Sequence, residues 1–249
     1  MNSSHKKLIL VSHDGHRGGG ELLLLNIARI LKTTLQFELI ILSKDGGELI
    51  TNFQQYAEVY ILKEVSKKNG NYNNLLSSLK NRGFEYALCN TVVTGDIVAN
   101  LTAARIYCIA LIHEMPQVIR AYQSLPYGLA IAICAKQIFF PSAVVYKKDS
   151  QLISFPDEKV KILPQGLYSH RIQGDKIKSR EKLCQIYNLS KEATIILSVG
   201  YGCEIKGFDI FINIAQNIAR MNSDIHFFWV GNYDRRKHIN ELLKIQWGS

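Results

Sequence analysis

Short continuous apolar runs alternate with helical stretches along most of this chain. Residues 8–11, 36–42, 59–62, 86–89, 106–112, 137–140 and 160–163 read as strands. Residues 22–31, 48–56, 75–82 and 92–104 carry helical spacing between them, with a polar loop at residues 67–71. A less regular helical region, 115–135, is broken by Pro126, and Pro141-Ser142 opens a helix to about residue 153, with proline in its first turn. Residues 167–178 are polar and poorly patterned. Beyond them come a helix at 179–187, a buried strand at 194–199, a helix from Phe208, a strand at 225–230 and a basic helix at 235–245.

That order predicts the α/β class. Residues 1–165 should form a doubly wound parallel, Rossmann-like domain, 166–190 a linker, and 191–249 the beginning of a second, incomplete Rossmann-like domain. Ligands of such sheets lie at the carboxyl ends of the strands. His13, His16, Asn90, Thr91, His113 and Glu114 all follow predicted strands, so they should gather along one edge of one cleft.

Two loops carry candidate chemistry. Ser12 to Glu21 contains Gly18, Gly19 and Gly20 before a helix, where the backbone approaches a ligand closely. The dinucleotide fingerprint G-x-G-x-x-G is not met, because Leu23 stands at the sixth position from Gly18. Asp45 alone keeps that reading as an alternative. The second loop runs from Gly200 through Tyr201 to Lys206 and into a helix with Phe208, Phe211, Ile212, Ala215, Ile218 and Ala219 on one face. A strand, a glycine loop and a helix N-terminus present unpaired N–H groups and a positive dipole end to a phosphate, and Lys206 adds a charge. Glu21 reads as a first-turn acid that complements its helix dipole.

The chain has 249 residues, 47% of them hydrophobic, and a formal net charge of +9. The excess is spread over both predicted domains, which argues against a nucleic-acid arm and suits nucleotide phosphates or an anionic membrane surface. Arg235-Arg236-Lys237-His238 is the basic run open to membrane contact, its alternative being a solvated face. None of the five cysteines forms a C-x-x-C pair, which favours buried free thiols in a reducing cytosol over zinc or disulfides. The N-terminal apolar run is too short for a signal peptide.

Six segments in order resemble the GT4 type of GT-B glycosyltransferases. Ser12 to Glu21 is similar to the family's S-x-x-x-x-x-G-G-x-E loop, and His113-Glu114 to its histidine–acid pair. Phe140 to Val145 resembles its V-x-x-S-x-x-V segment, and Ile162 to Leu167 its V-I-P-N-G hinge strand. Leu197 to Gly200 with Lys206 to Asp209 looks like the donor loop, and Phe228 to Gly231 like the F-x-x-V-G strand.

The resemblance implies a nucleotide-diphosphate-sugar as co-substrate, a glycan or lipid-linked acceptor, retention of configuration, and no metal or other cofactor. It implies surface-polysaccharide synthesis in the cytoplasm, peripheral at the inner face of the membrane. His113 would contact the transferred sugar as the catalytic residue, with His13, His16 and Glu114 at the acceptor or sugar. Gly18, Gly19, Gly20, Gly200, Tyr201 and Lys206 would bind the donor phosphates. Breaking a sugar–diphosphate bond builds negative charge on the leaving oxygen, which fixed cations and helix N-termini stabilise.

Tyr201 stands where the family usually has an arginine beside its lysine. The family's E-x7-E region, which holds ribose and donor sugar, is expected beyond residue 249. A second domain of two strands leaves apolar faces uncovered, so a longer protein or a partner chain is expected to complete it. The alternative reading is therefore a truncated, non-catalytic subunit.

Overall fold

The computed structural model describes residues 6–166, 174–221 and 224–233. The chain divides into two compact units, residues 1–168 and 169–249. In the first, strands β1 (Lys7–Ser12), β2 (Glu38–Ser43), β3 (Glu58–Ile61), β4 (Tyr86–Asn90), β5 (Tyr107–Leu111), β6 (Gln137–Phe140) and β7 (Val160–Ile162) form one sheet. Its order is β3-β2-β1-β4-β5-β6-β7, and every pairing is parallel. The order reverses between β1 and β4, which makes their carboxyl ends the switch point of the sheet. Leu10 of β1 pairs with Ile41 on one side and Leu88 on the other, and Ile9, Leu10 and Val11 are fully buried.

Helices α1 (Gly19–Thr33), α2 (Ile50–Phe53), α3 (Leu62–Asn69), α4 (Asn73–Asn81), α5 (Gly95–Ala103), α6 (Pro116–Ala121), α7 (Leu125–Cys134) and α8 (Ala143–Asp149) connect the strands. Side chains alternate along each strand, so two cores form. Leu10, Leu39 and Ile41 pack with Leu24, Ala28 and Phe53 on the face of α1 and α2. Ile9, Val11, Ile40 and Leu42 join a larger core with Leu79, Val98, Leu101 and Ile131 on the opposite face.

Several boundaries differ from expectation. The helix expected over 48–56 shrinks to Ile50–Phe53. Leu62 opens α3 instead of ending β3, and that helix takes in most of the expected polar loop, with Glu64 in its first turn and Lys67 and Lys68 in its last. Those charges match the helix dipole, a signal stronger than polarity alone. Pro126 sits in the first turn of α7, where a missing N–H costs nothing, so it starts that helix instead of breaking one. Ser142, not Pro141, marks the next start: its hydroxyl accepts from the Val145 N–H at 3.3 Å, and the helix ends at Asp149. Helix α1 buries Leu24 and Ala28 and leaves Ile30 43% exposed. Thr91 caps nothing with its side chain; it holds φ 73° before a single 3-10 turn, Val92–Thr94, which precedes α5.

The second unit contributes α9 (Lys176–Tyr187), β8 (Thr194–Val199), α10 (Phe208–Ala219) and β9 (Ile225–Val230). Helix α9 starts inside the stretch expected to be linker, capped by Asp175, whose carboxylate accepts from the Ile177 and Lys178 N–H groups. β8 and β9 pair in parallel, Thr194 opposite Ile225 through Val199 opposite Val230. Phe208 of α10 packs on Trp229 with ring centroids 4.7 Å apart. β8 is a strand but not a buried one; Leu197 and Val199 are exposed, because among the described residues this sheet has two strands and one packed helix face. Leu167, His170, the expected helix at 235–245 and the basic run Arg235 to His238 lie outside the described residues. Among the described residues no helix is long and apolar enough to cross a membrane. Cys89, Cys108 and Cys184 are buried free thiols, while Cys134 and Cys203 are half-buried.

Candidate functional site

At the carboxyl edge of the first unit, the loop after β1 is clamped to the loop after β2. The Gly15 N–H donates to the Gly46 carbonyl at 3.0 Å, and the Leu49 N–H to the Gly15 carbonyl at 2.7 Å. Gly47 has φ 153°, and a Cβ there would lie 2.2 Å from the Gly15 carbonyl carbon, so only glycine allows the clamp. Glu48 completes it by accepting from the Arg17 N–H and sitting 3.0 Å from His16 Nδ1. His16 is therefore engaged on the β2 side, exposed, its pKa raised by the contact with Glu48 and the charge of Asp14.

His13 turns the other way. Its Nδ1 lies 2.8 Å from Glu21 Oε1 and its Nε2 3.1 Å from Asp14 Oδ2. Burial alone would lower its pKa; the contact with Glu21 and the charges of Glu21, Asp14 and Glu114 outweigh that and raise it. Glu21 is buried in the first turn of α1, and a Cβ on Gly18 would sit 2.1 Å from its Oε2. Gly18 is thus the space that Glu21 occupies. His13, Asp14 and Glu21 each offer a ligand atom within 4.8 Å of one another. Each ring nitrogen already faces a carboxylate, and the cluster reads as an ion-pair network centred on His13.

His113 lies next to this cluster along the same edge. Its Nε2 is 2.8 Å from Asn90 Oδ1, and Asn90 Nδ2 donates to the Gly20 carbonyl at 2.8 Å. The Gln165 side-chain amide contacts His113 Nδ1. Burial lowers the His113 pKa to about 4, against the opposing charge of Glu21. Glu114 does not orient that ring. Its Oε2 accepts from the backbone N–H groups of Val92 and His113, both at 3.1 Å, so it fastens the turn after β4 to the end of β5. Burial raises its pKa, with these hydrogen bonds opposing.

Among the three glycines, Gly20 presses on β4: a Cβ would meet Thr91 Cγ2 at 3.1 Å. A Cβ on Gly19 would meet nothing within 4 Å, so its backbone is open to approach. Thr91 is β-branched with φ 73°, a strained conformation of the kind that collects at ligand sites.

Asp149 is a buried carboxyl near Glu114, and neither of its oxygens has a hydrogen-bond partner. Burial, then the Glu114 charge, pushes its pKa up to about 7. The unfolded chain loses this proton at about pH 4. Between those values the folded state binds the extra proton, so the stability contributed here falls as pH rises from about 4 to about 7. His113 works oppositely, its contribution being lost as pH falls from about 6.5 to about 4. Asp149→Asn should melt about 5 °C above the parent at pH 8, with the gap closing near pH 4. Thermal melts across that range check this; a gap independent of pH contradicts it.

The second unit holds a separate loop. Gly200 has φ 152°, and its carbonyl accepts from Trp229 Nε1 at 2.8 Å. A Cβ on Gly231 would lie 2.1 Å from that same carbonyl oxygen. The Gly202 N–H donates to the Asn232 carbonyl at 2.7 Å, which ties the loop to the end of β9. Lys206 ends a 3-10 turn, and its Cγ lies 3.9 Å from where a Gly200 Cβ would be. Gly207, in the left-handed region at φ 69°, begins α10 with no side-chain cap. The Gly207 and Phe208 N–H groups donate to the Glu204 and Cys203 carbonyls, so this end of α10 offers its dipole and the exposed Lys206, with Asp209 in its first turn. Tyr201 is 55% exposed on the same loop.

Of the residues singled out from the sequence, the first unit brings His13, Gly18, Gly20, Glu114 and His113 into one neighbourhood and turns His16 away. The second unit brings Gly200 and Lys206 together. Glu21, Asp14 and Gln165 belong to the first cluster and were not among the candidates; Glu21 had its signal in the G-G-x-E end of the loop, and Gln165 in the turn before residue 167.

No protein-family model matches the sequence, and no curated protein matches it. Solved structures do. Anabaena HepE in complex with UDP and glucose superposes with a TM-score of 0.76 at 16% identity, over 96% of this chain and 65% of that one. A glycosyltransferase from Rickettsia africae gives 0.70 at 17% identity, again over 96% and 65%. WaaG, a glycosyltransferase involved in lipopolysaccharide biosynthesis, gives 0.62 at 15%, over 95% and 72%. The chain therefore has the α/β fold of GT-B glycosyltransferases and spans about 65% of the length of the first of them.

Proposed function

We propose that this chain belongs to a GT4-like glycosyltransferase that moves a sugar from a nucleotide-diphosphate donor to a glycan or lipid-linked acceptor. The observation that carries this reading is the Gly200–Lys206 loop at the uncapped start of α10, in a chain whose fold follows HepE, solved with UDP-glucose. In the second unit Gly200, Tyr201 and Lys206 hold the diphosphate; in the first, the open backbone at Gly19, between Gly18 and Gly20, suits a phosphate. His113 contacts the sugar. His13 and Glu114 belong to the sugar or acceptor side, His13 through its charge and Glu114 through the backbone it holds; His16 lies at the rim.

In the reaction, the anomeric C–O bond to the diphosphate breaks and the acceptor oxygen bonds that carbon. The acceptor proton goes to the departing phosphate oxygen. Lys206 and the α10 dipole offset the charge that develops there. Configuration is retained, no metal takes part, and the setting is surface-polysaccharide synthesis in the cytoplasm. The experiment is release of UDP from UDP-sugars with and without glycan or lipid-linked acceptors, the product anomer being read by NMR. Acceptor-dependent release with retention supports the proposal. Tight nucleotide binding without release favours a non-catalytic subunit that a partner chain completes.

A second observation favours contact with an anionic membrane. Leu125, Leu129 and Ile133 are 36%, 45% and 75% exposed and recur every four residues, so they line one stripe of α7, a helix with no charged residue. Lys159 Nζ donates to the carbonyls of Ala132 and Ile133, and Arg105, Lys136 and Lys159 line one shallow cavity of about 730 Å³ at that end of the helix. Apolar side chains flanked by cations suit an anionic interface. Vesicles containing phosphatidylglycerol should sediment the chain, and Ile133→Asp should lower the bound fraction roughly tenfold. Equal binding by the two contradicts the assignment to α7.

A further inference from the structure

We infer that Asn90 is a positioning residue that holds His113 as the neutral Nε2–H tautomer, so that Nδ1 offers a lone pair to a hydroxyl of the bound sugar. Donors and acceptors pair off along a chain that starts at the Gly20 carbonyl. The Gly20 carbonyl only accepts, so the Asn90 amide nitrogen, 2.8 Å away, must be the end that faces it. Asn90 Oδ1 then faces His113 Nε2 at 2.8 Å, and because that oxygen only accepts, Nε2 carries the proton. The buried ring is neutral, so Nδ1 is bare and the Gln165 amide turns its donor nitrogen toward it. The Gly20 carbonyl thus fixes Asn90 and the Nε2 proton, and the neutrality of the ring fixes Gln165.

The surroundings keep the ring neutral. Burial disfavours its charged form, and the ionisable groups around it, Glu21, Glu114 and His13, do not reverse that. Asn90 itself is completely buried at the end of β4, and Gly20 can approach it because a Cβ would lie only 3.3 Å from Asn90 Nδ2. Gln165, in contrast, is exposed and lies outside any helix or strand. A sugar hydroxyl that donates to Nδ1 replaces the Gln165 amide at no loss of hydrogen bonds. A carboxylate or phosphate placed there would meet a lone pair, so the position selects a neutral hydroxyl-bearing group over an anionic one. The ligand half of this inference rests on the nucleotide-sugar reading; the tautomer half does not.

The test is long-range ¹H–¹⁵N correlation of the imidazole nitrogens in the full 249-residue chain, the His113 signals being identified by their loss in His113→Asn. Wild type should show a protonated Nε2 and a bare Nδ1 from pH 6 to pH 8. Gln165→Leu should keep that pattern, whereas Asn90→Leu should mix the tautomers and Asn90→Asp, placing a carboxylate on Nε2, should raise the pH at which the ring charges. A proton on Nδ1 in wild type, or an unchanged pattern in both Asn90 variants that remain folded, overturns the inference. UDP-glucose titration is the second arm. At a pH where the Asn90→Asp ring is charged, that variant should bind about tenfold more weakly, because Nδ1 then carries a proton and cannot accept the hydroxyl. Less than threefold weakening overturns the positioning role. If wild type itself does not bind UDP-glucose, the nucleotide-sugar reading and the hydroxyl half fall together, and the tautomer result alone decides what Asn90 does.

Discussion

Lys206→Ala should weaken binding of UDP and UDP-sugars by about 10- to 30-fold. A charge-assisted contact to phosphate contributes about 1.5–3 kcal/mol, and exposure of Lys206 in the free chain places it toward the lower part of that range. The helix dipole at the start of α10 remains in the variant, so binding should weaken, not vanish. Lys206→Arg should keep most of the affinity, and Tyr201→Arg should raise it by restoring a second cation on the loop. Isothermal titration at two salt concentrations measures all three. The wild-type affinity should fall more steeply with salt than that of Lys206→Ala. Equal affinities for wild type and Lys206→Ala would remove the diphosphate from this loop.

Gly95→Ala should destabilise the first unit by about 3 kcal/mol or more and lower its melting temperature by roughly 10 °C. A Cβ on Gly95 would lie 2.0 Å from the Tyr127 carbonyl oxygen and 2.6 Å from its Cα, so backbone meets side chain and no rotamer change relieves the clash. Helices α5 and α7 must move apart. Alanine favours a helix over glycine by about 1 kcal/mol, and this smaller gain does not offset the clash. Urea unfolding gives the answer. A loss below about 1 kcal/mol would mean that the two helices are not packed as closely as Gly95 and Tyr127 place them. Because α5 begins just after Asn90 and Thr91, the same variant should also disturb the His113 cluster.

The parallel sheet was legible in the sequence because its strands are short uninterrupted apolar runs, and Leu8 to Val11 could only be central. The GT-B fold was legible from motif order, since each match alone is weak. Helix limits were less so: α3 is polar, and its signal lies in charges at its two ends, which a search for apolar spacing passes over. The site was half legible. Histidines after strands announced an edge, but the sequence does not say which side chain each will meet. Glu21 looked like a helix-dipole acid, and Gly18 leaves the space that lets it reach His13 instead. Glu114 follows a strand as His113 does, yet two backbone N–H groups hold it. Gln165 meets His113 across 52 residues of chain, a contact that only the packing of β5, β6 and β7 creates.

The central claim is that this chain binds a nucleoside diphosphate through the Gly200–Lys206 loop. The most direct measurement is the melting temperature of the purified chain with and without UDP, GDP and their sugar conjugates, beside Lys206→Ala. A ligand that binds only the folded state raises the melting temperature by mass action. The account predicts a clear rise with one nucleotide and its sugar conjugate, much reduced in the variant. A cooperative melt that no nucleotide moves, or a rise that Lys206→Ala leaves intact, would contradict it.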